Sequence, residues 1–305
     1  MKDAATLLAT GLLISLVTPA YADRSCTDWM TDTFFSAASV QDVRSCLEAG
    51  ASVTERDNEG RTPLHLATAV ATDAAVVGEL LGAGADPAPS DAQGNRAIHV
   101  AAASARTPDV LSYLVVWGSD PERELPDGKR CSWRSLARCA TVPLHLAAKR
   151  PDGASYVAAL LAAGANPDLR DIDGRSALQH AAENAQDTLV ISVLLQAGAS
   201  VDVADFDGLT PLHAAVRRTE GAHEIVSMLL AAGASADAGD SNGTTPLIWG
   251  ARSAPDNSIV EMLIEAADDP CVADGQERTA LSQWDLNQNL ERDGVYWRLH
   301  DRCSE

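Results

Sequence analysis

Thr62-Pro63-Leu64-His65 begins a stretch that runs through Leu80-Leu81-Gly82-Ala83-Gly84-Ala85 and leads into Asp91-Ala92-Gln93-Gly94. Pro63 suits the first turn of a helix, where a missing N–H is no loss, and Thr62 stands ahead of it as a cap. Leu64, Leu66 and Ala67 then face one side. After a polar turn, Val76, Val77, Leu80 and Leu81 recur at the spacing of a second amphipathic helix. Gly84 follows, a residue that tolerates the positive φ at which helices end. Asp-Ala-Gln-Gly is turn chemistry. The stretch predicts a helical hairpin followed by a projecting β-turn.

The same tetrad recurs as Val142-Pro143-Leu144-His145 and Thr210-Pro211-Leu212-His213. Weaker copies are Arg96-Ala97-Ile98-His99, Ser176-Ala177-Leu178-Gln179, Thr245-Pro246-Leu247-Ile248 and Thr279-Ala280-Leu281-Ser282. The third residues fall at 64, 98, 144, 178, 212, 247 and 281, a period of 34 with one insertion of 12. Glycines at 50, 84, 118, 164, 198 and 233 hold the same register, each 14 residues before the next anchor except Gly118, which is 26 before Leu144. The insertion therefore lies in that connector. Asp171-Ile172-Asp173-Gly174 and Asp205-Phe206-Asp207-Gly208 repeat the turn. One such hairpin cannot bury both of its faces, so stability must come from stacking neighbours between modified end units.

These residues resemble the ankyrin-repeat family, and the likeness covers almost everything after residue 22. It implies an all-α repeat solenoid of stacked helix-turn-helix units with β-turn fingers. The expected division is a signal peptide at 1–22, an N-terminal capping repeat at 23–56, six repeats over 57–278 with an insertion around 119–141, and a C-terminal capping repeat at 279–305. The resemblance also implies that His65, His99, His145 and His213 make structural hydrogen bonds within and between units; His180 is displaced by one place. Members of the family bind other proteins through the turns and first helices, which form a concave face.

Composition agrees with a helical stack. The 305 residues are 46% apolar but hold only six Trp, four Tyr and three Phe, so Ala, Leu and Val must build the core. Against 43 Asp plus Glu stand 23 Lys plus Arg, a net charge of −20 that repels nucleic-acid phosphates and anionic lipid. The N-terminus reads as an export signal: Met1-Lys2-Asp3, an apolar run from Ala4 to Val17, a breaker at Thr18-Pro19 and Ala20-Tyr21-Ala22 as a cleavage pattern. That run is shorter than the about 20 residues a bilayer needs. In an oxidising compartment an even number of cysteines favours disulfides. The six lie as three separated couples, Cys26/Cys46, Cys131/Cys139 and Cys271/Cys303. A zinc site competes, but no C-x-x-C occurs. In a hairpin stack the outer two couples would each join the start of a cap's first helix to the end of its second.

No catalytic residue or metal ligand set emerges, and no cofactor is expected. The Asp-x-Asp-Gly runs lack the first calcium ligand, since Leu169 and Val203 occupy that position, so they read as turns. Asn242-Gly243-Thr244 matches a glycosylation acceptor that the turn itself generates. Candidate contacts for a partner are few. Lys149, Arg150, Arg217, Arg218 and Arg252 form a basic row five and six residues after the anchors, with a consensus or solubility role as the competing explanation. Ile172 and Phe206 are apolar turn tips on adjacent units, or else pack locally. Within the insertion, Cys131 and Cys139 would close a loop presenting Trp133 beside Arg134 and Arg138, residue types that dominate binding energy; equally, Trp133 could cover apolar surface.

The sequence thus points to an exported, non-catalytic protein–protein interaction module, periplasmic or secreted. It would be monomeric, with no membrane insertion after signal removal, recognising an envelope or secreted protein through its concave face and inserted loop. The alternative is a secreted effector acting on host proteins, or an inhibitor or protector of an exported enzyme.

Overall fold

The computed structural model describes residues 26–120, 142–184 and 186–304. Among them the chain forms a 3₁₀ turn, Cys26–Asp28, and sixteen α-helices: α1 Asp32–Phe35, α2 Val40–Glu48, α3 Pro63–Val70, α4 Ala74–Gly82, α5 Ala97–Ser104, α6 Asp109–Val116, α7 Pro143–Ala148, α8 Ala154–Ala162, α9 Ala177–Asn184, α10 Leu189–Gln196, α11 Pro211–Val216, α12 Ala222–Ala231, α13 Pro246–Ser253, α14 Asn257–Ala266, α15 Ala280–Trp284 and α16 Gly294–Cys303. The signal segment, the Cys131/Cys139 couple, Trp133, Arg134 and Arg138 lie outside the described residues.

Helices pack in two layers. The odd-numbered ones lie side by side from α1 to α15, the even-numbered ones from α2 to α16, and from α3 onward each odd helix also packs on its successor. Every hairpin meets its neighbours in sequence, which makes the fold an all-α repeat solenoid. Because α5 touches α7 and α6 touches α8, the insertion between Gly118 and Leu144 leaves the stack closed.

The anchors explain the packing. Leu64, Ile98, Leu144, Leu178, Leu212 and Leu247 are all buried, whereas Leu281, in the α15–α16 hairpin, is half-buried. Val76, Val77, Leu80 and Leu81 are fully buried, as their spacing predicts. Gly84 sits at φ +91°, and Gly50, Gly118, Gly164, Gly198 and Gly233 take the same left-handed turn after their helices. Ala267 stands where the next marker glycine belongs, and there α14 exits into extended backbone instead.

Aromatic side chains gather at the two ends. Trp29, Phe34 and Phe35 interlock with ring centroids 5.0–5.5 Å apart under the first hairpin. Trp284 and Tyr296 meet edge to face in the last. The end units are also the ones closed by disulfides. Cys26 before α1 joins Cys46 in α2, and Cys271 before α15 joins Cys303 at the end of α16. Cα–Cα separations of 5.4 and 5.3 Å suit such bridges without backbone movement. Among the described residues no helix is long and apolar enough to cross a membrane.

Candidate protein-interaction face

Each described finger is built round one aspartate. Asp57, Asp91, Asp171, Asp205, Asp240 and Asp274 all accept hydrogen bonds at Oδ1 from the backbone N–H groups two and four residues on, at 2.8–3.0 Å. The carboxylates close their own turns, which is the reading the sequence favours over calcium loops. Backbone bonds join neighbouring fingers: Ala92 N–H donates to the Glu59 carbonyl (2.8 Å), Phe206 N–H to Asp173 (3.1 Å), Ser241 N–H to Asp207 (2.8 Å) and Gly275 N–H to Asn242 (2.7 Å). Thr244 of the glycosylation-like triplet buries its hydroxyl against Asp274.

The tetrad histidines tie finger to helix and unit to unit. Thr62 N–H donates to His65 Nδ1 at 3.2 Å, so the proton sits on Nε2, which donates to the Asn95 carbonyl at 3.1 Å. His145 links Val142 N–H to the Leu169 carbonyl, and His213 links Thr210 N–H to the Thr244 carbonyl, in the same way. Burial holds all three imidazoles below their ordinary value, His145 at about 4. Gln179 replaces the fourth histidine and reproduces both bonds, accepting from Ser176 N–H at 2.9 Å and donating to the Leu209 carbonyl at 2.6 Å. The displaced His180 instead donates from Nε2 to Asp171 at 2.7 Å. Burial alone would raise the Asp171 carboxyl, but that bond and the turn amides hold it down to about 2.

The basic row divides into two kinds of residue. At the sixth position Arg150 donates to the Ala105 carbonyl of the preceding unit at 3.1 Å, pairs with Asp152 at 2.9 Å and lies 3.9 Å over the Tyr156 ring. Arg218 donates to the Ala182 carbonyl of its preceding unit, and Asn287 does the same to Ala254. These side chains staple units together. At the fifth position Lys149, Arg217 and Arg252 are exposed. The sequence reading missed that Glu183 interrupts this row; it pairs with Arg175 at 3.1 Å. Arg217 is steadied by the half-buried Trp249, its guanidinium 5.1 Å from the ring, and Trp249 Nε1–H in turn donates to Asp240. A polar cleft of about 440 Å³ opens between α9 and α11, lined among others by Arg175, Gln179, Glu183, Asp205, Arg217 and Arg218.

The two apolar tips differ. Phe206 is 73% exposed although one ring edge rests over Gly174, while Ile172 is half-buried. A second depression, about 630 Å³, lies on the opposite layer between α4 and α6, where Tyr113, Val116 and Trp117 are exposed. Trp117 was legible as an aromatic just before Gly118, but nothing in the periodicity marks it as uncovered.

Family comparisons agree with this geometry. The model described as ankyrin repeats (3 copies) matches residues 144–240 and 194–274, and that described as ankyrin repeat matches 59–92; together they span more than half of the chain. Among solved structures, the ankyrin repeat domain of Bcl-3, titled a unique member of the IkappaB protein family, is 28% identical with a TM-score of 0.59, covering 76% of this chain and 96% of that one. The human ASB11 ankyrin repeat domain is 23% identical with a TM-score of 0.63, covering 78% and 98%. No curated protein sequence matches the chain significantly.

Proposed function

Because the chain belongs to the ankyrin-repeat family, whose scaffold is a protein–protein interaction module and typically non-catalytic, we propose that it is an exported binding module. It recognises an envelope or secreted protein through the face formed by fingers and odd-numbered helices, with the loop around Trp133 as a second contact. One observation carries the reading: both ends of the stack are closed by disulfides, bonds that persist in oxidising compartments and are rare in cytosol. Repeat stacks fray from their ends, so clasps at both termini suit a module working where reductants and chaperones are scarce.

The test is affinity capture from the native envelope and secretome, beside fractionation of the tagged protein. The expected outcome is a mature chain beginning near Asp23 in the oxidising fraction, with Cys131–Cys139 joining the two terminal bridges on non-reducing mass mapping. A specific partner should bind less tightly after Trp133→Ala/Arg134→Ala. Cytosolic retention with reduced thiols would overturn the export reading. Undiminished partner binding would remove the loop. A cytosol-entering effector would keep its affinity with all three bridges reduced, so repeating the capture in reductant separates that alternative.

A further inference from the structure

We infer that the odd-helix face receives an acidic, extended segment of its protein partner, gripped by Arg217 and Arg252. This rests on the binding-module reading and names its partner chemistry. The chain carries 43 acidic against 23 basic residues, so a surface cation has carboxylates close at hand. Seven of the fifteen described arginines use them: Arg44, Arg61, Arg150, Arg175, Arg278, Arg292 and Arg298 are ion-paired. Arg217 and Arg252, on the adjacent helices α11 and α13, are exposed and make no such pair among the described residues.

Geometry adds to the charge argument. Arg217 is held against Trp249, so its guanidinium is positioned before a ligand arrives while its N–H edge stays available for a planar carboxylate. A fixed side chain loses less entropy on binding than a free one. Packed helices lie about 8–10 Å apart, and three residues of extended chain span about 10 Å. On an extended segment of polyproline II form, with three residues per turn and about 3.1 Å rise, acidic side chains three residues apart share one face and can therefore meet both arginines. The cleft beside Arg217 has room for the intervening side chains, and Glu183 and Asp205 in its lining are both engaged by Arg175. Lys149, two units away, extends the same row.

The experiment uses fluorescence anisotropy on the full mature chain with three labelled probes of equal length. They are a dodecapeptide carrying Glu at every third position in Gly/Ser, the same peptide with Lys, and a single-stranded oligonucleotide. At about 20 mM salt the Glu peptide should bind best, and its affinity should fall as the Debye length shortens towards about 8 Å at 0.15 M. Arg217→Ala/Arg252→Ala should weaken it at least tenfold, about 1.4 kcal/mol. Arg106→Ala/Arg170→Ala removes the same charge from exposed sites elsewhere and should change binding less than twofold. Arg217→Lys should fall between wild type and the double variant, since the charge survives without the planar fork. Equal loss in both double variants, preference for the Lys peptide, or stronger binding of the oligonucleotide would each overturn the inference. If a captured partner binds the Arg217/Arg252 variant undiminished, the module reading stands and the acidic-segment inference falls.

Discussion

Replacing His145 by glutamine should leave the stack folded and remove part of its sensitivity to acid. His145 accepts from Val142 N–H and donates to the Leu169 carbonyl of the next unit at 2.9 Å. One unit further on, Gln179 already makes both kinds of bond, so the substitution has a native precedent. The imidazole titrates near 6.5 when unfolded but is held at about 4 by burial in the native state. Above pH 6.5 both forms are neutral and the stabilisation is complete. Between 6.5 and 4 the unfolded chain takes up a proton that the folded chain refuses, so stability falls. For these two values the loss from pH 7.5 to pH 5 is about 2 kcal/mol. His65 and His213 shift in the same direction but are common to wild type and variant, so they cancel in the comparison. Urea unfolding at both pH values, followed by circular dichroism, gives the difference directly. The reasoning is refuted if His145→Gln and wild type lose equal stability between pH 7.5 and 5. It also fails if the variant is more than about 2 kcal/mol weaker at pH 7.5, because glutamine would then not be forming the bonds.

Further expectations follow from the same contacts. Arg218→Ala should lower stability by about 1–2 kcal/mol through the orphaned Ala182 carbonyl and lost packing, while Arg217→Ala next to it should stay within about 0.5, both read from urea midpoints. Cys271→Ser/Cys303→Ser opens a loop of sequence separation 32 and should remove about 2–4 kcal/mol, with hydrogen exchange accelerating in α15 and α16 before α9 or α11; uniform acceleration along the chain would contradict the end-clasp account. Gly208→Ala adds a Cβ 2.7 Å from Ser241 N at a position with φ +81°, whereas Gly84→Ala meets open space at φ +91°. The first should therefore destabilise by clearly more than the second, whose effect is the left-handed penalty of about 1–2 kcal/mol. Equal midpoints would mean the finger seam yields freely.

The sequence made the scaffold legible because its signals are local. Pro at the first helical turn, leucines at helical spacing and a glycine at each helix end act within a single hairpin, and the 34-residue period multiplies them. The terminal cysteine couples were readable for the same reason, since hairpin geometry fixes which helix ends meet. The face was less legible because its meaning depends on the neighbouring unit. Lys149 and Arg150 look alike in sequence, yet only Arg150 reaches back to the Ala105 carbonyl and stacks on Tyr156. Arg217 and Arg218 divide in the same way. Glu183 was hidden at a register position where only the cations had been counted. Gln179 looked like a degraded histidine, although an amide supplies the same acceptor and donor as a neutral imidazole. The exposure of Phe206 against the half-burial of Ile172 is a difference between two tips of the same pattern that the turn residues themselves do not mark.

The seam between fingers carries a consequence for how such a protein changes over generations. Its rungs run from main-chain amide to main-chain carbonyl, and the aspartates that shape each loop sit behind the tip. Ala92, Phe206 and Ser241 thus sit exposed in their loops with side chains that the rungs never consult. Substitution there rewrites what the molecule presents to others while leaving its assembly instructions intact. Novelty in recognition and fidelity in folding are written in different atoms of the same residues.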